Sequence, residues 1–289
     1  MGIGIRFRLP ANAPERMAFA YSPLFEELLA LHVLTEPEHH PLQHDWARET
    51  WARLKQPLAD EVRAWDFAYT YSVPEFALPP ARGPITDLEG ALRELAELPR
   101  DSIAYELVRV LFQGEFGDQT IRDPGELLDD GNRAAALANT RERGERATEI
   151  AELAFDDPGA FVEQFASLLR SFYEAVFEDE WTRLEPMLAH SVGDARQSIA
   201  RGDIYDFLQQ AFPEETADRV EEHITFDRDC DTDLTIGRGE HLTLVPSAFV
   251  RPHVWISYDE PWPRAVIYTP PEIEGFFDSE RPGATAAPG

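Results

Sequence analysis

Cysteine and lysine are almost missing from this sequence: Cys230 is the sole cysteine and Lys55 the sole lysine in 289 residues. One thiol excludes an intrachain disulfide and any metal site built on paired thiolates. No stretch approaches the ~18 consecutive apolar residues of a membrane span. The opening residues Met1 to Phe7 alternate polar and apolar, unlike the continuous apolar stretch of a signal peptide. These absences predict a cytoplasmic protein with no membrane segment. Positive charge is scarce as well, with Lys+Arg 26 against Asp+Glu 54 and a formal net charge of −28. A field of that sign repels phosphate backbones, so unaided nucleic-acid binding is disfavoured. Catalytic motifs are lacking too. There is no Gly-x-Ser-x-Gly elbow, and no third glycine or Gly-Lys-Ser/Thr makes a phosphate loop of Gly2-Ile3-Gly4. Cys230 stands among aspartates that would raise its pKa and blunt its thiolate. The expectation is a protein that is not an enzyme and carries no cofactor.

What is present suffices for a packed core: 43% hydrophobic and 11% aromatic residues. Ile3, Ile5, Phe7 and Leu9 share one face at period two and predict an opening strand. Ser22-Pro23 supplies an N-cap and a first-turn proline, with Glu26 and Glu27 near the positive end of the helix dipole. Thr86 and Glu89 form a capping box for a further helix. The strongest periodicity follows. Phe161, Phe165, Leu168, Phe172 and Val176 mark one side of a long helix. Trp181, Leu184, Leu188, Val192, Ala195 and Ile199 mark a second, with a kink or restart expected at Pro186. Such stripes must be buried against each other or against a partner chain. Asp203 is expected to cap a last short helix. After Pro213 the pattern becomes strand-like, with Gly237-Arg238-Gly239 as a hairpin turn.

The fold class predicted is α+β: mainly helical, with a small C-terminal antiparallel sheet that the N-terminal strand can join. One domain is expected over residues 1–270, helical in 18–212 and β-rich in 220–270, followed by a Pro/Gly-rich linker or disordered tail over 271–289.

Three groups of residues suggest chemistry. His39, His40 and His44 lie beside Glu36, Glu38 and Asp45, a ligand set that suits zinc or a similar ion. Pro41-Leu42-Gln43 leaves them without the base of a hydrolytic zinc helix, and a histidine cluster in a loop is more often hydrogen-bonded surface. From Asp229, carboxylates at Asp231, Asp233 and Glu240 imitate a calcium loop, but Leu234 stands where the sharp turn needs glycine. The aromatic residues Trp46, Tyr173, Trp181, Phe249, Trp255 and Trp262, with His253, are candidates for lining an apolar ligand pocket, against the alternative of ordinary core. The arginines Arg133, Arg141, Arg143 and Arg146 alternate with acids and read as a solvated helix face.

Three segments resemble ArsR-like winged-helix transcription regulators of the actinobacterial type. One runs from Phe19 to Trp46 and contains Ser22-Pro23-Leu24, His40 and His44. Another runs from Glu180 through Trp181 and Pro186 to Arg196. The third is Leu242-Thr243-Leu244-Val245-Pro246-Ser247-Ala248-Phe249, then Pro252-His253-Val254, Pro261-Trp262-Pro263 and Tyr268. The resemblance implies a sensor and dimerisation region. It would form a homodimer, bind an unidentified small molecule, and reach DNA only through a winged helix that is not present in these residues. The alternatives are a stand-alone small-molecule-binding or interaction protein and, more remotely, a metal-dependent hydrolase using His39, His40 and His44.

Overall fold

The computed structural model describes residues 4–9, 13–71, 73–114, 123–202, 204–228, 231–258 and 260–277. Within them the helices are α1 (Pro23–Thr35), α2 (His44–Arg53), α3 (Gln56–Ala64), α4 (Leu88–Ala96), α5 (Arg100–Val108), α6 (Val110–Gln113), α7 (Asp130–Arg141), α8 (Glu145–Asp156), α9 (Pro158–Phe172), α10 (Glu178–Arg201) and α11 (Ile204–Ala211). The strands are β1 (Gly4–Arg8), β2 (Met17–Phe19), β3 (Thr216–Asp218), β4 (His223–Asp227), β5 (Asp231–Thr235), β6 (Leu242–Pro246), β7 (Trp255–Ser257) and β8 (Ala265–Tyr268). The fold is α+β, and one contiguous apolar core runs from Ile5 to Phe276.

The sheets differ from the single antiparallel one expected. Two four-stranded sheets form, in the orders β3-β4-β1-β5 and β2-β6-β8-β7. β1 lies inside the first, antiparallel to β4 and parallel to β5. β2 opens the second, parallel to β6, which is in turn parallel to β8. Period-two patterning locates strands but carries no information on their partners. The glycine turn is a case in point. Gly239 does take a positive φ of 90°, but β5 and β6, which flank the turn, belong to different sheets, so it is a crossing and not a hairpin.

Helix starts follow local chemistry. Ser22 caps α1 through its Oγ, which accepts from Phe25 N at 3.2 Å. The cap of α4 is Asp87, not Thr86; its Oδ1 accepts from Gly90 N at 2.7 Å. Asp203, the cap expected for α11, lies outside the described residues.

The two striped helices are a continuous helical run interrupted by a π-helical segment, Tyr173–Phe177, which joins α9 to α10. A π turn inserts one residue into the helical phase. It accounts for the five-residue step between the stacked rings of Phe172 and Phe177. The irregularity falls there and not at Pro186, through which α10 continues. Every member of both stripes is buried. α9 packs against α3, α5 and α8; α10 packs against α11 and the 3-10 turn Pro271–Phe276. The stripes are therefore covered within the chain itself.

That last turn corrects the expected tail. Ile273 and Phe276 are 1% and 2% exposed, and the Arg183 guanidinium sits 4.7 Å from the Phe276 ring centroid. Residues 271–277 thus belong to the body, and 278–289 lie outside the described residues.

Candidate functional site

α1 is the helix that positions the chemistry. From Pro23 to Leu34 every residue is buried, including Glu26, Glu27 and His32. These two acids near the helix start are 1% and 0% exposed. Among the described residues no cation is paired with either. Glu26 Oε2 accepts from Ala248 N at 3.3 Å, while Glu26 Oε1 and both Glu27 oxygens have no hydrogen-bond partner. Burial pushes the Glu26 carboxyl up to about 8, against partial relief from Ser247 and Ala248. Burial alone raises Glu27 well above the usual carboxylate range.

The turn that follows β6 closes over Glu26. Ser247 Oγ accepts from Phe249 N at 3.1 Å and from Val250 N at 3.2 Å. Gln43 Nε2 donates to Ala248 O at 3.0 Å, so Glu26 and Gln43 hold the same residue from its two polar ends. His40 Nδ1 lies 2.8 Å from Arg251 O. A carbonyl only accepts, so this nitrogen carries the proton and Nε2 is a bare lone pair. Gln43 Oε1, His40 Nε2 and Trp46 Nε1 are buried without partners.

The expected histidine triad does not form. His39 and His44 are exposed, and His39 faces Glu36 at 3.7 Å. Pro41-Leu42-Gln43 prevents a shared helix face, and His40 turns inward instead. It meets His32, with ring centroids 5.0 Å apart, and His253 at 5.7 Å; His32 in turn packs on Trp255 at 5.3 Å. Burial holds the His32 imidazole down to about 4 and lowers His40 and His253 as well. Among the described residues no group of three or more His, Cys, Asp or Glu side chains is placed to hold a metal ion. Of the imitation calcium loop, Asp229 and Cys230 lie outside the described residues. Asp233 is bonded to Arg6 at 2.7 Å and Glu240 to Arg264 at 2.9 Å.

The candidate aromatics do not converge on one pocket. Trp46 is buried against Phe249 (4.8 Å), and Trp181 packs on Tyr21 while its Nε1 donates to Thr86 O at 3.0 Å. Tyr173 stacks near Phe177, and burial raises its hydroxyl to about 12. Trp262 is the exception. It lines a cleft of about 240 Å³ at the first turn of α1, with Leu24, Phe76, Pro80, Ile85 and Leu95. Trp262 Nε1 donates to Glu106 Oε2 at 2.6 Å, which fixes the indole in the wall. A groove of about 400 Å³ beside Phe19 has charged walls from Glu15 and Arg196. Three of the four arginines of the patch are in ion pairs: Arg133 with Asp156, Arg143 with Asp66 and Arg146 with Glu61. No helix among the described residues is long and apolar enough to cross a membrane.

Sequence reasoning missed Glu26, Glu27, His32 and Gln43 as site residues. The signal available was an acid pair and a histidine inside a run, Pro23 to Leu34, whose apolar residues cover every face.

Fold and site together define a class: an α+β protein with a wholly buried first helix, two mixed sheets and an interior polar shell. The chain belongs to a family of unknown function (DUF5937), matched over residues 4–274. No curated protein and no solved structure matches it.

Proposed function

We propose that this chain is the small-molecule-sensing region of an ArsR-like transcription regulator, in which a separate winged helix reads DNA. The observation that carries the reading is the Trp262 cleft. Apolar walls with a few fixed polar groups are the usual form of a ligand pocket. Its wall Pro261-Trp262-Pro263 leads two residues later into β8, and Pro270 follows β8 into the turn seated on α10. A ligand that displaces Trp262 therefore pushes on the strand and turn through which the chain leaves the sheet. The net charge of −28 supports a division of labour in which DNA attraction resides elsewhere. The reading assigns the chain no catalysis. Homodimer formation, part of the same proposal, has to use mixed polar surface, because the helical stripes are already covered.

The test uses N-phenyl-1-naphthylamine, a neutral apolar fluorophore of suitable size. Saturable binding that quenches tryptophan emission, and that weakens at least ~10-fold in Trp262→Ala, is expected for a cleft that binds through this wall. Absence of saturable binding to the unaltered chain sinks the sensor reading. The regulator assignment is checked separately by sequencing the transcript beyond codon 289, where a continuing frame with a helix-turn-helix pattern is expected. Sedimentation over a range of concentrations reads the pairing.

A further inference from the structure

The buried side of α10 changes character toward its end. Leu184 and Leu188 are fully buried, and the turns that follow carry Ser191, Asp194 and Ser198 at steps of three and four, which puts them on one face. That face opens on a cavity of about 220 Å³. Phe207 and Gln210 of α11 close its other side, with Tyr268, Pro270 and Pro271 where the chain leaves β8. Ser191 is 3% exposed. Among the described residues neither serine hydroxyl nor the Gln210 amide has a hydrogen-bond partner. The cavity shares no wall residue with the Trp262 cleft.

We propose that this cavity binds a neutral monosaccharide. Two hydroxyls and a primary amide each donate and accept, so they match a ligand whose own groups do both. The floor is apolar: Phe207 and Tyr268 are 8% and 3% exposed, and Pro270 is buried beside them. Such a floor suits the C–H side of a sugar ring, while the polar groups fix its hydroxyls. Spacing agrees. Ser191 and Ser198 are two turns apart, about 10 Å along the helix axis. An oxygen hydrogen-bonded to each at about 2.8 Å leaves about 5 Å between the two, the span between opposite hydroxyls of a six-membered ring. The volume, roughly that of seven waters, limits the occupant to one such ring.

Charge argues for a neutral ligand. Among the described residues no arginine, lysine or histidine lines the cavity. A phosphate or carboxylate would therefore meet Asp194 and the net charge of −28 with no cation to hold it. A cation gains little in its turn. Asp194 Oδ2 already lies 3.2 Å from His190 Nε2, and the Asp194 side chain is 59% exposed, so water screens its charge. The remaining oxygen, Oδ1, is placed at the rim to accept from a sugar hydroxyl. A bound ring touches α10, α11 and the Pro270-Pro271 segment together, so it ties the chain's exit from β8 to the end of the long helix.

Saturation-transfer NMR on the folded chain tests the proposal with glucose, galactose, mannose, arabinose, xylose and ribose, each at about ten times a millimolar Kd. At least one of them is expected to receive saturation and to bind at a single saturable site. Ser191→Ala and Gln210→Ala should each weaken that binding about 3- to 10-fold, the loss of one hydrogen bond. Gln210 is exposed, so its variant decides the matter even where Ser191→Ala does not fold. The proposal is overturned if none of the six sugars receives saturation, or if both variants bind as the unaltered chain does. It is overturned as well if ethanolammonium chloride binds and the sugars do not, which would give the cavity to a cation. Trp262→Ala is expected to leave sugar binding unchanged, so failure of this site and failure of the Trp262 cleft are read separately.

Discussion

The first helix and the long helical run behave in opposite ways. α9 and its continuation α10 bury one stripe and show water the other side. α1 shows water no side from Pro23 to Leu34. A striped helix can place its acids outside, as α10 does with Glu178 and Asp179, and can pair the one that it buries, Glu180, with Arg183 at 2.9 Å. A helix buried all round has no outside, so Glu26, Glu27 and His32 are carried into the core with it. The long helical run is thus built for stability. The first helix bears polar groups whose desolvation opposes folding, which is where function tends to reside.

The largest effect expected from breaking this contrast is on the striped side. Phe165 is fully buried, with its ring 5.2 Å from Trp65. Phe165→Ala should cost roughly 3–5 kcal/mol in urea unfolding. Substitution of its exposed neighbour Glu163 should stay within about 0.5 kcal/mol. Comparable losses at both positions would mean that the stripe does not carry the packing.

On the α1 side the contrast sharpens with pH. Glu26 has a folded value raised to about 8 from 4.5. The folded state therefore holds more protons than the unfolded one in that window, and stability falls as pH rises through it. The slope is on the order of 1.4 kcal/mol per pH unit for each such group. Glu27 acts in the same direction. His32, lowered to about 4 from 6.5, acts oppositely: its contribution is lost as pH falls from 6.5 toward 4. Above pH 6.5 only the acids remain in play, so unfolding free energy should decline toward pH 8. Glu26→Gln should flatten that decline, and His32→Phe the loss on the acid side. A flat profile in the unaltered chain would show that α1 is not sealed from water.

A smaller gain is expected at Pro186, exposed and inside α10. Pro186→Ala restores an N–H to an unbroken helix and should stabilise by roughly 1–3 kcal/mol, read from the thermal midpoint. Least of all is the surface pair Arg170–Glu89, at 2.6 Å with both side chains about half exposed. Glu89→Gln should cost below about 1 kcal/mol and vanish in high salt.

The same contrast decides what the sequence discloses. The stripes from Phe161 to Ile199 were readable because burial on one side alternates with polar residues, and Ser22-Pro23 was readable because capping is local. Burial of Glu26 and Glu27 was not, since first-turn acids look alike whether solvated or sealed; what covers α1 comes from the neighbouring α2, from α4 and from the turn after β6, more than two hundred residues on. His40 stood among the candidates, but its partners His32 and His253 are set by tertiary packing. Trp262 stood among the candidate aromatics on equal terms, and only the fold separates it, at a cleft, from Trp46 and Trp181 in the core. Sheet partners stayed hidden for the reason already given: β1 pairs with strands more than two hundred residues away.

That pairing has a consequence for the order of events during synthesis. β1 sits between β4 and β5, and β2 pairs with β6, so neither sheet has both of its ends until residues beyond Asp227 and Leu242 have been made. At ~5–20 residues per second, the strand Gly4–Arg8, with Ile5 and Phe7 on its buried face, waits roughly 10–45 s on the ribosome without its neighbours. The helical segments of local contact can assemble in that interval, and the sheets close last. A newborn chain therefore keeps the pairing edges of its first strands open until its second half arrives to meet them.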